Sequence, residues 1–425
     1  MKKIFILIAI LALTSITLAQ TTQTSVPETK DFKWLMAKID EAKQKLANVH
    51  LLNSNEVRTY ITRTKYKSGS SVDWFWKEVG LAAIDLDTGD IVIIKIRKDR
   101  QNLYVLNPGY EVNFEPGKSW NNKNTPFRVL DNKDKKRVVL AIKWVNSPDT
   151  RYVFVKKGKR TIRVKKFVSP IPLSVTYVPY SRGLHLQDLI LAGQVHFQKD
   201  VKEAFAKLDK LGVRSLVEPG KLITQRFEQI TFERIGLMEQ SDPGEFNDFT
   251  GCGCIRLGLP DKDITSEMKN NLSDISSAFN PFERVYVRLG VNGEDEFKSR
   301  NFAGAVGQMQ FTNNGKRGRP GTWDVVRSKY PLAQLPNFQE GATDHVFSIM
   351  AAVLLHDLNT LELVQKFDHG ILQDKDLLAY LAAGYNGGIG PVITAIKKGG
   401  ANWRKYLKTR ETRIYVAEWD WLQIY

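Results

Sequence analysis

Two stretches of this chain place a carboxyl group where it could move a proton. Phe232-Glu233-Arg234-Ile235-Gly236-Leu237-Met238-Glu239-Gln240-Ser241-Asp242-Pro243 reads as a helix end, with Ile235 and Met238 beside Glu239 and Pro243 as the stop. An apolar setting disfavours the charged form, and a helix C-terminus is a poor place for an anion. Glu239 is therefore expected to stay protonated near neutral pH, the state in which a general acid can protonate a leaving oxygen. The plainer alternative is a surface carboxylate near a helix end. Glu294 and Glu296 sit in the polar run Asn292-Gly293-Glu294-Asp295-Glu296, where an ordinary carboxylate is expected. His345 and His356 share a helical stretch, eleven residues apart and with no carboxylate arranged for zinc, so both read as structural or exposed. No Gly-x-Ser-x-Gly, P-loop or nucleotide fingerprint is present, and neither a metal nor a cofactor is expected.

Three later segments give these carboxyls a context. They are Gly304-Ala305-Val306-Gly307-Gln308-Met309-Gln310, then Ala382-Ala383-Gly384-Tyr385-Asn386-Gly387-Gly388, then Glu411-Thr412-Arg413-Ile414-Tyr415-Val416. In this order and at this spacing they resemble the soluble lytic transglycosylase (goose-lysozyme-like) family. Its marks are a Gly-Ala-x-Gly-Leu-Met-Gln turn, an Ala-Tyr-Asn-x-Gly segment and a late Glu-Thr-Arg-x-Tyr-Val helix. The resemblance covers roughly residues 220 to 425.

The resemblance implies an all-α lysozyme-like domain acting on peptidoglycan glycan strands. It implies cleavage of the β-1,4 bond between N-acetylmuramic acid and N-acetylglucosamine without water, giving a 1,6-anhydromuramic product. One Glu serves as acid and then base, where most glycosidases use two carboxylates. It also implies that Gln310 and Met309 border the saccharide cleft, that Tyr385 bonds the catalytic carboxyl or the N-acetyl group, and that Asn386 orients the turn or substrate. Gly304, Ala305 and Gly307 would shape the turn, while Glu411 and Tyr415 would support the site from the late helix. Gln308 stands where the family has Leu, so a more polar cleft wall is expected. The family's Glu lies about a dozen residues before the turn, and the residue twelve before Gly304 is Asn292, which is no acid. The acid is then Glu239, with an insertion of roughly 244 to 290 and Gln240 in place of the usual Ser, or else Glu296 or Glu294. Three outcomes stay open on these residues: the non-hydrolytic enzyme, a muramidase of the same fold using water, and a wall-binding protein with no working acid.

The start of the chain agrees with an exported protein, periplasmic or extracellular. Lys2 and Lys3, the apolar run Ile4 to Leu13 and the small-residue site Thr17-Leu18-Ala19 read as a signal peptide over residues 1–19. Residues 20–55 read as a polar N-terminus with a short amphipathic helix at 31 to 48. Cys252 and Cys254, separated by Gly253, read as incidental thiols or a strained vicinal disulfide.

Residues 56–180 change to a β pattern. Asp87-Thr88-Gly89 separates two apolar runs, and Lys157-Gly158 separates Arg151–Val155 from Thr161–Val164, both as hairpins. Trp74 and Trp76, two apart, read as paired core aromatics or a sugar-stacking platform. Residues 131 to 170 hold nine Lys and four Arg against three Asp, within a chain of net charge +16. Such a face suits an anionic wall polymer or membrane surface, or is simply solvated; nucleic acid is not an expected target of an exported protein. Asp200-Val201-Lys202-Glu203 reads as a capped helix start inside a helical linker, 181–220. Residues 221–425 read as helical, with candidates at Leu222–Met238, Thr265–Leu289, His345–Leu361, Leu377–Ala383 and Val392–Lys397. The fold class expected is α+β: a β-rich N-terminal domain followed by an all-α C-terminal domain.

Overall fold

The computed structural model describes residues 30–52, 77–98, 102–114, 127–145, 150–157, 160–167, 174–241, 246, 249–250, 280–297, 304–313 and 320–424. The expected signal peptide, Trp74 and Trp76, Cys252 and Cys254, and residues 265–279 of the helical candidate Thr265–Leu289 lie outside them. The chain is α+β, with a sheet in the N-terminal half and helices in the C-terminal half.

Helix α1 (Lys30–Ala47) buries Leu35, Ile39, Ala42 and Leu46, the i, i+4, i+7 stripe of an amphipathic helix. Strands β1 (Lys77–Ile84), β2 (Ile91–Lys98), β3 (Leu103–Val105), β4 (Tyr110–Phe114), β5 (Phe127–Asp131) and β6 (Lys136–Val145) pair in the order β3-β2-β1-β6-β5-β4. The two ends of that path, β3 and β4, are consecutive in the chain and adjacent in space, so the sheet curls toward a small barrel. Strands β7 (Thr150–Lys157) and β8 (Arg160–Phe167) form the expected hairpin as a separate ribbon, and β9 (Ser174–Tyr177) returns to pair with β6. The Asp87-Thr88-Gly89 turn also forms, closed by Asp85 N donating to Asp90 O at 3.0 Å.

Alternation divides the strands between two cores. Val79, Leu81, Ala83, Ile94, Ile96, Val139, Ile142 and Trp144 point into the curled sheet. Ala82, Ile84, Ile91, Val138, Leu140 and Ala141 point outward, into a second core shared with α1 and the C-terminal helices. A bulge makes this possible on β6: Ala82 pairs with Ala141 but Ala83 pairs with Val139, so Leu140 is the extra residue and stays on the outer face.

The C-terminal half contains α2 (Gln187–Lys210), α3 (Gln229–Gln240), α4 (Pro281–Asn292), α5 (Thr322–Lys329), α6 (Phe338–Gly341), α7 (His345–Phe367), α8 (Leu377–Gly387), α9 (Ile389–Gly399) and α10 (Arg410–Leu422). Two expectations fail here. Asp200 does not start a helix, because the apolar stripe Leu189, Ile190, Gly193, Phe197 extends the period one helix length upstream; Asp200 is buried in mid-helix. Nor is 181–220 a linker, since α2 packs across α4 with almost no space between backbones. A Cβ at Gly193 would stand 1.9 Å from Tyr286 O, and one at Gly290 2.3 Å from Leu189 O.

Helix α7 is the axis of this half. Its apolar window has a mean hydropathy of 1.4 and passes a length-and-composition test for a membrane span, yet 67% of that window is buried within the protein. Ile349 through Leu354 are all fully buried. Asp357 on α7 collects four donors: Ser215 Oγ, Leu216 N and Tyr330 Oη, each at 2.7 Å, and Arg226 Nη1. A buried carboxylate so fully bonded ties the 213–226 segment and Tyr330 to the helix axis.

Candidate active site

Four elements converge at the C-terminal end of α3. The first is α3 itself, which carries Glu239 and Gln240 at its end and stops at Ser241, whose hydroxyl donates to Met238 O at 3.1 Å. The second is a tight turn. Val306 and Phe311 exchange backbone hydrogen bonds of 2.9 and 3.0 Å across Gly307-Gln308-Met309-Gln310. Gly307 has φ +80°, and a Cβ there would fall 1.7 Å from Ala342 O, so only glycine fits. Gly304 has φ +87°, and Ala305 is buried at the turn's entry.

Gln240 joins these two elements. Its Nε2 donates to Gly307 O and Gln308 O, both at 2.9 Å, and so locks the end of α3 onto the turn. The third element, α8, adds Tyr385, whose hydroxyl donates to Met309 O at 2.7 Å. Tyr385 also packs edge-on against Phe311, with ring centroids 5.8 Å apart. The fourth is α10, whose Thr412 donates to Asn386 Oδ1 at 3.0 Å. Glu411 and Tyr415, four apart, share the face of α10 that acts on Glu239.

The electrostatics single out Glu239. Burial pushes its carboxyl up to about 8, opposed by the Tyr415 hydroxyl and reinforced by the negative charge of Glu411. Among the described residues, no Lys or Arg acts on it. The residue as a whole is half-buried. Tyr415 Oη is buried beside it and makes no hydrogen bond of good geometry among the described residues. Burial and then Glu239 push the phenols of Tyr385 and Tyr415 well above the ordinary tyrosine range. Both therefore remain O–H donors at any working pH.

The other sequence-derived acids are elsewhere. Glu296 is fully buried but accepts from Arg288 Nη2 and Asn292 Nδ2, each at 2.8 Å, a compensated structural carboxylate. Asn292 also bonds Val178 N and O, tying α4 to the end of β9. Glu294 is exposed on the following turn. Met309 is fully buried and belongs to the core. Gln310, at φ +47°, turns its amide back to Gly307 O at 2.8 Å while staying half-buried. The polar cleft wall expected at Gln308 is not there: the side chain is wholly buried behind the turn. Glu411 is exposed, Tyr415 buried.

Sequence reasoning missed the clamp made by Gln240, whose only signal was its position directly after Glu239. It also missed Glu233, six residues earlier on α3. Burial raises the Glu233 carboxyl too, yet Tyr286 Oη donates to it at 2.7 Å and the group is enclosed. It also missed a cluster on α2 and α7, His196, Asp200 and His345, whose donor atoms lie within 4.8 Å of one another. An open groove of about 540 Å³ along α5, lined by Asp324, Arg327, Ser328, Pro331, Gln334 and Leu335, includes none of the Glu239 cluster. No protein-family model matches the chain, and neither a curated protein nor a solved structure matches it.

Proposed function

We propose that the chain is an exported peptidoglycan lytic transglycosylase with a lysozyme-like helical half, and that Glu239 is its single acid and base. The observation that carries this reading is one carboxyl held up to about 8 without a counter-cation, at a helix end clamped to the Gly307–Gln310 turn. A protonated Glu239 gives its proton to the glycosidic oxygen leaving with N-acetylglucosamine, as the substrate's N-acetyl group assists departure. The resulting carboxylate then takes the proton of the muramic O6 hydroxyl, O6 closes onto the anomeric carbon, and the 1,6-anhydro ring forms. Proton and charge balance, and Glu239 ends protonated as it began.

Tyr415 flanks the carboxyl as a permanent hydroxyl donor able to hold its ionised form between the two steps, while the Tyr385 hydroxyl is engaged by Met309 O. Gln310 and Asn386 border the turn and the α8 end, where a glycan would lie. The basic β region would hold the anionic wall polymer or membrane surface nearby.

A hydrolytic outcome has one observation in its favour: Glu411 is a second carboxylate within electrostatic range of Glu239. Mass spectrometry of purified peptidoglycan digested with the protein separates the readings. Anhydromuropeptides support the transglycosylase, and reducing-end muropeptides replace it with a muramidase. Binding with no release in wild type and Glu239→Gln alike leaves a wall-binding protein.

A further inference from the structure

We propose that His196, Asp200 and His345 form a structural site for one zinc-class divalent ion, separate from the glycan site. His196 and Asp200 are four apart on one face of α2, and His345 opens α7 directly opposite. Asp200 Oδ2 lies 2.9 Å from His345 Nδ1 and 3.4 Å from His196 Nε2. The set is two imidazoles and one carboxylate, a mixed nitrogen–oxygen donor set that suits Zn²⁺. Bonds of about 2.0–2.1 Å to one ion would need only small side-chain adjustments from this spacing.

Two features point to a ligand beyond the cluster itself. His196 Nε2 is buried and finds no hydrogen-bond partner among the described residues, although it faces the Asp200 carboxylate. Second, His345 Nε2 lies 3.0 Å from Glu296 O. Donation to a backbone carbonyl from one ring nitrogen orients the other as a metal ligand, the usual support of metal-bound histidine. In the metal-free protein His345 Nδ1 instead bonds Asp200 Oδ2 at 2.9 Å. The other charges facing the cluster are Lys199 and Glu294 beside His196, and Asp344 beside His345.

A bound ion would pin α2 to α7 and to the Glu296–Phe297 turn, and a water would fill the fourth position. Its role is to hold the scaffold, and no step of glycan cleavage passes through it.

The test uses the full chain carrying Cys252→Ser and Cys254→Ser, so that thiols do not compete, stripped with chelator and dialysed against Zn²⁺. One equivalent of bound zinc by mass spectrometry of the metal, and a saturable Tm rise of about 5 °C, are expected. His196→Ala should abolish both, while the exposed His369→Ala should leave both intact. Among the described residues His196 Nε2 finds no hydrogen-bond partner, so His196→Ala decides the matter even if Asp200→Asn fails to fold. No bound zinc, or equal binding by His196→Ala, overturns the proposal and leaves an Asp200–His345 ion pair. These readouts do not depend on glycan cleavage, so the functional reading can fail without touching them.

Discussion

Glu239, at the end of α3, and Glu296, four residues past the end of α4, are both glutamates drawn out of water, and they have opposite chemistry. Glu296 faces Arg288 and Asn292 at 2.8 Å each, so its charge is answered inside the protein. Glu239 faces the Tyr415 hydroxyl and the negative charge of Glu411, so among the described residues no cation answers its charge. Burial with a counter-cation makes a strut; burial without one makes an acid. What separates their chemistry is the group opposite each carboxyl.

The comparison breaks most visibly through activity. Glu239→Gln should lower muropeptide release by about 10²–10⁴-fold while glycan binding persists. Glu296→Gln, tested beside it, should keep kcat within a few-fold. Its stability is the next largest effect. Glu296→Ala leaves Arg288 buried and unpaired, and a loss of about 3–5 kcal/mol is expected by chemical denaturation.

The same pair separates again with pH. Glu239 has an ordinary value of 4.5 and is raised to about 8 when folded, so between these values the folded state holds a proton that the unfolded chain has released. The stability this contributes is complete below 4.5 and is lost as pH rises toward 8. Allowing for partial exposure, the loss is about 2–4 kcal/mol, and Glu239→Gln should abolish it, making the inactive variant the more stable protein at alkaline pH. A denaturation series across pH in which wild type and variant run parallel would remove the basis for the acid.

Smaller effects sharpen the site's edges. Gln240→Ala removes two hydrogen bonds to the turn and should cost about 1–2 kcal/mol, with a larger rise in KM than fall in kcat. Smallest of all, Glu411→Gln removes a negative charge that raises Glu239. It should move the alkaline limb of the pH–rate profile to lower pH, with less than about a twofold change in kcat at neutral pH.

Local pattern made the β-to-α division, the two hairpins and most later helices legible, because alternation and the 3.6 period survive in any context. The apolar end of α3 was legible for the same reason: Ile235, Met238 and Pro243 are neighbours of Glu239 in sequence. What stayed hidden were pairings across long separations. Asp200 looked like a helix cap because its partner His345 lies 145 residues away. The segment 181–220 looked like a linker because its glycine contact is with α4, which contributes Tyr286. Gln308 looked like a cleft residue because nothing local shows which side of a tight turn faces the core.

The most direct test of the acid is a titration of the Glu239 carboxyl itself, by carboxyl-selective ¹³C NMR or infrared difference spectra between wild type and Glu239→Gln. A midpoint near 8 is expected, several units above its ordinary 4.5. A midpoint near 4.5 would mean that water or an unseen cation answers the charge, and that Glu239 is a carboxylate with no proton to give.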